Sequence, residues 1–150
     1  MSDLTQLYQE VILDHNKSPR NYRKCDSCNH ESEGFNPLCG DHLWVYLNLE
    51  NDKIKDISFQ GNGCAISKSS ASLMTSILKG KSKEEAEKLF EIFHKVVTSK
   101  VGEEIDLSEL GKLAVFAGVR DYPARVKCAS LAWHTMLNAL HEKDGTTITE

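Results

Sequence analysis

The chain has 150 residues, enough for one domain that buries a core without disulfide cross-links. Hydrophobic residues make up 40% and charged residues 27%, and the net charge is -4. This composition excludes a disordered chain and disfavours nucleic acid as a partner. Because the N-terminus holds no long apolar run, we expect no signal peptide, no membrane span and a cytoplasmic protein. In that compartment, five cysteines indicate reduced thiols for metal binding or sulfur chemistry.

The predicted elements of the first half begin with a helix in about residues 1–20, which must end before Pro19. Residues 22–37 are polar and irregular and predict a loop with at most a short strand. Two alternating runs follow, HLWVYLNLE and KIKDISFQG, joined by Asn51 and Asp52. These two residues tolerate turn conformations, so the pattern predicts a β-hairpin.

Three helices are predicted in the second half. The first follows Cys64 and stops at Gly80, the second starts at a capping box of Ser82 and Glu85, and the third runs from near Pro123 to about Leu140. Residues 101–122 predict a loop with one or two short helical turns, and residues 141–150 a frayed tail. No repeat or linker interrupts residues 1–150, which therefore predict one α+β domain.

The hairpin has two possible registers. A two-residue turn pairs Tyr46 with Ile57, whereas a three-residue loop pairs Leu47 with Ile57. The pattern does not choose between them. Either register returns Cys64 to a position almost opposite the segment from Cys39 to Asp41, a separation of about 5 Å across the ladder.

Four potential metal ligands follow from this geometry. Cys39 and Asp41, two residues apart in an extended strand, can point the same way. Cys64 lies at a predicted helix N-terminus, which favours a thiolate, and Cys128 is flanked by the cations Arg125 and Lys127. Three sulfurs and one carboxylate suit a tetrahedral zinc site or one edge of an iron-sulfur cluster. The alternative is a set of buried structural cysteines.

Three segments carry a family resemblance. NPLCGD with Cys39 and Asp41, GNGCAIS with Cys64, and ARVKCASLAW with Cys128 resemble the cysteine segments of the NifU/IscU-like iron-sulfur assembly scaffold family. LYQEVILDHNKSPRN and the residues after Cys64 resemble it too, so the similarity runs from about Leu4 to Leu140. The resemblance implies a small antiparallel sheet with helices packed on one face, the SufE/NifU-like scaffold fold.

Two departures point to one branch of this family. Scaffold-type members carry a His before the third cysteine and a Pro-Pro-Val-Lys chaperone motif, whereas this chain has Lys127 and DYPARVK. These features resemble the SufU-type branch, a zinc-dependent sulfurtransferase branch. The resemblance implies zinc ligands at Cys39, Asp41, Cys64 and Cys128.

The same resemblance implies partners and a mechanism. A SufS-type cysteine desulfurase would supply a His to the zinc and release Cys39, the catalytic thiol, to take persulfide sulfur, which then passes to downstream iron-sulfur assembly proteins. Arg125 is an auxiliary candidate for holding Cys128 or the transferred anion, or else a solvated charge. One alternative is a scaffold that assembles a [2Fe-2S] cluster on Cys39, Cys64 and Cys128. Another is a zinc-stabilised desulfurase partner or regulator without chemistry of its own.

The family resemblance leaves Cys25 and Cys28 unexplained. A C-x-x-C pair is half a zinc site or a redox pair, or simply two loop thiols. Among the histidines, His42 is expected on the strand face opposite to Asp41, outside the site. Three further histidines are expected to have packing or surface roles; they are His15, His94 and His134.

Overall fold

The computed structural model describes residues 3–100, 103–104, 106–141 and 146–148. Its sheet has the strand order β3-β2-β1-β4. β1 (His30–Asn36), β2 (Asp41–Glu50) and β3 (Lys53–Asn62) run antiparallel, and β4 (Thr146–Ile148) pairs in parallel with β1. The predicted α+β class with a small antiparallel sheet is confirmed, with one parallel strand added at the edge.

The hairpin of β2 and β3 combines both predicted registers. Asn51 and Asp52 form a two-residue turn with φ of 52° and 62°, and Glu50 pairs with Lys53 beside it. A β-bulge then adds one residue to β3 between the Asn48 and Leu49 pairs. Beyond the bulge, Leu47 faces Ile57, the pairing expected of a three-residue loop. Such a bulge places two residues of one strand opposite one of its partner and so shifts the register.

β1 replaces much of the loop expected in residues 22–37. Its inward residues are Ser32, Gly34 and Asn36, which are all buried but carry no apolar alternation. Gly34 lies against the Thr135 side chain of the last helix, so the close approach of helix and strand requires a residue without a Cβ. A strand built on small inward residues gives no hydrophobic signal, and for this reason the sequence predicted at most a short strand where β1 has seven residues.

Four α-helices match the predicted ones. They are α1 (Asp3–Lys17), α2 (Ala65–Leu78), α3 (Lys83–Val97) and α4 (Pro123–Leu140). The capping box of α3 is present, because Ser82 Oγ accepts the Glu85 N–H over 3.1 Å and Glu85 accepts the Ser82 N–H over 3.0 Å. In the connection before α4, a 3-10 helix covers Gly111–Asp121, longer than the one or two turns expected.

The core lies between the sheet and its helical layer, in which α4 crosses β1 and β2 while α2 contacts β3. Trp133 of α4 is fully buried, stacks on Phe93 with ring centroids 4.8 Å apart, and donates its indole N–H to Ser70 Oγ over 3.2 Å. These contacts fix α4 against α2 and α3. They therefore also fix the position of Cys128 on the same helix.

The two ends of the chain add a short strand and an amphipathic helix to the fold. Of the expected frayed tail, Thr146–Ile148 forms β4, while residues 142–145 and 149–150 lie outside the described residues. On α1, Tyr8, Val11 and Ile12 pack against the core, but Leu7 is exposed. None of the helices in the described part of the chain combines the length and apolar character that a membrane crossing needs.

Candidate metal centre

Cys39 lies in the tight loop that joins β1 to β2. The Gly40 N–H donates to the Asn36 carbonyl over 2.8 Å, and Gly40 has a φ of 75°, a conformation that favours glycine. The turn leaves Cys39 exposed. The expectation that Cys39 and Asp41 share one extended strand is therefore wrong, because β2 begins only at Asp41. The two residues are brought together by the loop instead.

Asp41 is the buried acidic group of the site. Its side chain has no exposed surface, and both carboxylate oxygens accept hydrogen bonds. Oδ1 accepts the Cys64 backbone N–H over 2.9 Å, and Oδ2 accepts the Asn36 amide N–H over 3.2 Å. Because a carboxylate offers about four lone-pair positions, these two bonds leave acceptor capacity for a metal ion.

Cys64 caps the N-terminus of α2, as the sequence predicts. Its sulfur accepts the Ser67 backbone N–H over 3.5 Å, and its own N–H is the donor to Asp41. The free N–H groups and dipole at this end of a helix favour negative charge. The start of α2 thus faces both the Cys64 sulfur and the Asp41 carboxylate.

Cys128 lies in the second turn of α4 and is fully buried. Its sulfur lies 3.3 Å from Cys39 Sγ and 3.5 Å from the Ala124 carbonyl oxygen. Burial raises the pKa of the Cys128 thiol far above its ordinary value, and the contacts with Cys39 and Asp41 raise it further. The expectation that Arg125 and Lys127 favour a thiolate at Cys128 is therefore wrong for this buried thiol, whose pKa is raised.

The described residues that come together here are Cys39, Asp41 and Cys128, whose ligand atoms all lie within 4.8 Å of one another. The Cys64 sulfur falls outside that group, although its charge also acts on Cys128. Cysteine sulfur and carboxylate oxygen are both ligands of zinc. Cysteine sulfur is also the usual ligand of iron-sulfur clusters. Several acidic groups so close together repel one another when ionised, and a divalent cation would offset this repulsion. The donor set therefore fits a metal.

Arg125 is exposed in the first turn of α4, three residues before Cys128. It lines a cavity of about 820 Å³, whose walls include Tyr8, Ile12, Ile66 and Tyr122. Tyr122 is 64% exposed, and Leu38, the residue before Cys39 in the chain, is 62% exposed. Leu38 is thus an exposed apolar side chain next in the chain to Cys39, and Tyr122 and Arg125 are exposed at the start of α4.

Sequence reasoning missed Asn36 as part of this site. Asn36 is fully buried, and its amide donates to both Asp41 Oδ2 and Cys128 Sγ, the latter over 3.6 Å. Its Oδ1 accepts the Leu38 N–H over 3.3 Å, which shapes the Cys39 loop. The one available signal was an amide residue at the start of NPLCGD, within a segment that already held two ligands.

The histidines take positions outside the centre. His42 contacts Glu33 and stacks on Trp44, with ring centroids 4.2 Å apart. His15 is buried beside Ser72, and His94 packs against Phe90 and His134 near α4. Cys25 and Cys28 form a disulfide, so the expectation of five reduced cysteines is wrong for this pair and holds for Cys39, Cys64 and Cys128.

The fold and the site define a class of protein: a small α+β domain that presents one exposed thiol beside a buried thiol and a buried carboxylate. Comparison with known proteins identifies the family. Residues 7–129 match the NifU-like N terminal domain. The chain therefore belongs to this family, whose relatives are named for iron-sulfur cluster assembly, and the predicted NifU/IscU-like membership with a SufU-type resemblance is confirmed.

Two curated relatives illustrate the likeness. The iron-sulfur cluster assembly scaffold protein IscU of Streptococcus pyogenes serotype M1 is 41% identical over 140 residues, which is 93% of this chain and 86% of the relative. The zinc-dependent sulfurtransferase SufU of Bacillus subtilis is 38% identical over 144 residues, 96% of each protein.

A solved structure shows the same fold. The putative iron-sulfur cluster assembly scaffold protein for the SUF system from Fervidobacterium islandicum superposes with a TM-score of 0.81 at 36% identity, covering 90% of this chain and 97% of that one.

Proposed function

We propose that this protein accepts sulfur from the persulfide of a SufS-type cysteine desulfurase on Cys39, and that it holds zinc through Cys39, Asp41, Cys64 and Cys128. One observation carries the proposal. The exposed sulfur of Cys39 lies 3.3 Å from the buried sulfur of Cys128, beside the buried Asp41 carboxylate. An incoming persulfide can reach Cys39, whereas Cys128 and Asp41 are shielded.

The sulfur transfer needs only the thiolate of Cys39 and the donor persulfide. The Cys39 thiolate attacks the terminal sulfur of the donor, the donor's S–S bond breaks, and the donor cysteine leaves as a thiolate. A persulfide then stands on Cys39, and no external oxidant or reductant is consumed. Zinc, when bound, would supply the positive charge that keeps the thiols deprotonated near neutral pH.

Residues around Cys39 have distinct tasks in this proposal. Asp41 anchors the site because its carboxylate is fixed from two sides, by the Cys64 N–H and by Asn36. Arg125 offers an exposed cation at the start of α4 that can pair with the anionic persulfide. Leu38 offers an apolar contact for the partner protein next to the reacting sulfur.

The test is a desulfurase assay with the wild-type protein, Cys39→Ser and Glu91→Gln. A serine hydroxyl is not ionised at neutral pH and is a poor nucleophile toward a persulfide. We expect Cys39→Ser to stimulate sulfide release at least about tenfold less than the wild-type protein does. Glu91→Gln, an isosteric change at an exposed residue of α3 outside the centre, keeps the stimulation. Equal stimulation by all three proteins refutes the proposal.

Partner binding separates sulfur acceptance from a regulatory role. If Cys39→Ser still binds the desulfurase and still stimulates it, the protein acts as a zinc-stabilised regulator without sulfur chemistry of its own. If binding persists and stimulation is lost, the acceptor function stands. Mass spectrometry of the protein after the reaction should find one added sulfur atom on the peptide that contains Cys39.

A second candidate is a scaffold for a [2Fe-2S] cluster on Cys39, Cys64 and Cys128. The same sulfur donors support it, and relatives in Streptococcus pyogenes and Thermotoga maritima are named scaffold proteins. Lys127 directly before Cys128 weighs against it, because an ammonium group is not a ligand. Measured zinc, iron and acid-labile sulfide per chain decide: stoichiometric zinc without sulfide favours the acceptor, and iron with sulfide favours the scaffold.

A further inference from the structure

We propose a second metal site, formed by Cys25, Cys28 and Asp56 when the Cys25–Cys28 disulfide is reduced, which takes a thiophilic divalent cation such as Zn²⁺. In the structure the two cysteines form a disulfide in the loop between α1 and β1. The two sulfurs and an Asp56 carboxylate oxygen lie within 4.8 Å of one another. The site is independent of the function proposed for Cys39.

The donor chemistry fits a thiophilic metal. Two cysteines separated by two residues form the half-site that recurs in tetrahedral zinc centres, and a carboxylate is a further zinc ligand. Water would complete the tetrahedron, as it does at open zinc sites. In the disulfide the sulfurs carry no thiolate charge and are poor ligands, so oxidation closes the site and reduction opens it.

The loop around the two cysteines is anchored on both sides. Before Cys25, the Arg23 backbone N–H donates to the Phe59 carbonyl over 3.0 Å. After Cys28, the Asn29 side chain donates to the Leu49 carbonyl over 2.8 Å and accepts the Leu49 N–H over 2.9 Å. Both ends are thus fixed to the sheet by contacts that do not involve the S–S bond. Reduction therefore leaves the two thiols close to Asp56.

Asp56 is held in place by two cations. A guanidinium nitrogen of Arg23 lies 2.7 Å from each Asp56 oxygen, and Lys79 Nζ lies 3.6 Å from Oδ1. These cations keep the carboxylate ionised and offset part of the charge that two thiolates add. The Ile57 backbone N–H also donates to Oδ1 over 3.0 Å, so three hydrogen bonds occupy the carboxylate. Because a carboxylate offers about four lone-pair positions, one position on Oδ2 is left for a metal.

The second site is distant from the first. Asp56 lies six residues before Asn62, where β3 ends near Cys64, so the two sites are separated by roughly 20 Å along the strand. No ligand is shared between them. Metal binding at one site can therefore be counted without disturbing the other.

The opening reaction is a two-electron thiol-disulfide exchange. A dithiol reductant attacks the Cys25–Cys28 bond, the S–S bond breaks, and two thiols form while the reductant becomes a disulfide. Zinc binding then displaces one proton from each thiol to solvent. The cation changes no oxidation state, so reduction and metal binding can be measured separately.

The experiment compares zinc content in reduced wild-type protein, Cys25→Ser/Cys28→Ser and wild-type protein with the disulfide intact, as checked by peptide mass. After equilibration with Zn²⁺ and removal of excess metal, we expect the reduced wild type to hold about one equivalent per chain more than the double variant. A defect at the Cys39 site lowers zinc in both proteins alike and leaves this difference unchanged. Equal zinc content in the two reduced proteins overturns the proposal.

Two carboxylate variants test the third ligand. Asp56→Asn should weaken the affinity of the second site for Co²⁺ at least about tenfold, read from the sulfur-to-cobalt charge-transfer band of protein that is loaded with Zn²⁺ in the disulfide form and then reduced. Asp26→Asn changes an exposed carboxylate between the same two cysteines and should alter the affinity less than about twofold. Equal affinities in both variants refute a role for Asp56. Disulfide-bonded wild type must show no such band, and its presence there refutes the redox dependence.

Discussion

The amide of Asn36 donates a hydrogen bond to the Asp41 carboxylate over 3.2 Å, with both side chains fully buried. The same amide nitrogen lies 3.6 Å from Cys128 Sγ. Asn36 therefore links the carboxylate at the start of β2 to the thiol of α4. Groups that orient metal ligands in this way tune affinity without touching the metal.

Replacing Asn36 with alanine should weaken both the fold and the centre. The change leaves Asp41 Oδ2 without its buried donor, so we expect the free energy of unfolding to fall by about 1–3 kcal/mol. Zinc affinity should fall roughly 10- to 100-fold. Chemical denaturation and competition with a zinc chelator measure the two effects.

Asn62→Ala is the matched control for this prediction, because Asn62 is exposed at the end of β3. It should change stability by no more than about 0.5 kcal/mol. Asn36→Ala with unchanged zinc affinity would show that the amide does not position Asp41.

Gly63 lies where a side chain would press on the centre. A Cβ built there would be 2.9 Å from Asp41 Oδ1 and 3.0 Å from Ser67 Oγ. Gly63→Ala should therefore push Asp41 away from the start of α2 and reduce zinc affinity about tenfold, measured by chelator competition. Gly118→Ala is the control, since nothing lies within 4 Å of its added Cβ. Equal affinities in the two variants would contradict this account of Asp41.

Gly34 tests the approach of α4 to the sheet. A Cβ at Gly34 would overlap Thr135 Oγ1 and come within 3.1 Å of Leu131 Cδ1. Gly34→Ala should lower the free energy of unfolding by about 1–3 kcal/mol, because the core is close-packed.

A double-mutant cycle identifies the clash. Thr135→Ala removes the overlapping oxygen, so Gly34→Ala should cost less in that background than in the wild type, by about 1 kcal/mol in urea denaturation. If the effects of the two changes on the free energy of unfolding are additive, the strain lies elsewhere along β1.

Local signals predicted much of this fold. Ser82 and Glu85 form a capping box within four residues, and Cys64, which follows the hairpin, caps α2. Each of these two helix caps depends on residues that are close to it in the sequence. The hairpin register was harder to predict, because Leu47 and Tyr46 are both buried and either alignment places an apolar residue opposite Ile57.

Long-range contacts explain what the sequence did not reveal. β1 turns Gly34 and Asn36 inward, and their roles depend on Thr135 and Cys128, about a hundred residues later. The spacing of Cys39 and Asp41 predicted that the two residues lie close together. The predicted cause was wrong, since a loop at Gly40 replaces the expected strand. Such pairings are set by tertiary packing rather than by local propensity.

The buried His15 and the half-buried His134 should make the metal-free protein less stable in mild acid. Burial lowers the pKa of His15, and the Arg20 and Lys112 charges lower it further against the opposing effect of Asp14. Burial and the nearby His94 likewise lower the pKa of His134. In the unfolded chain each histidine titrates near its ordinary value of 6.5. Below that pH the unfolded state binds protons that the native state does not, so the free energy of unfolding falls as pH falls.

Substituting His15 should flatten this pH dependence. Ser72 Oγ accepts the Arg20 N–H over 2.8 Å and lies 2.7 Å from His15 Nδ1. The Ser72 hydroxyl can donate its proton to this nitrogen only when the His15 ring is neutral. His15→Gln removes the titrating group, and urea denaturation of metal-free protein at about pH 7.5, 6.5 and 5.5 should show a shallower decline than in the wild type. His134→Gln should remove its own share independently, because the two residues have no common partner. An unchanged slope in His15→Gln would show that His15 is protonated in the native protein, and the hydrogen bond from Ser72 would then have to run in the opposite direction.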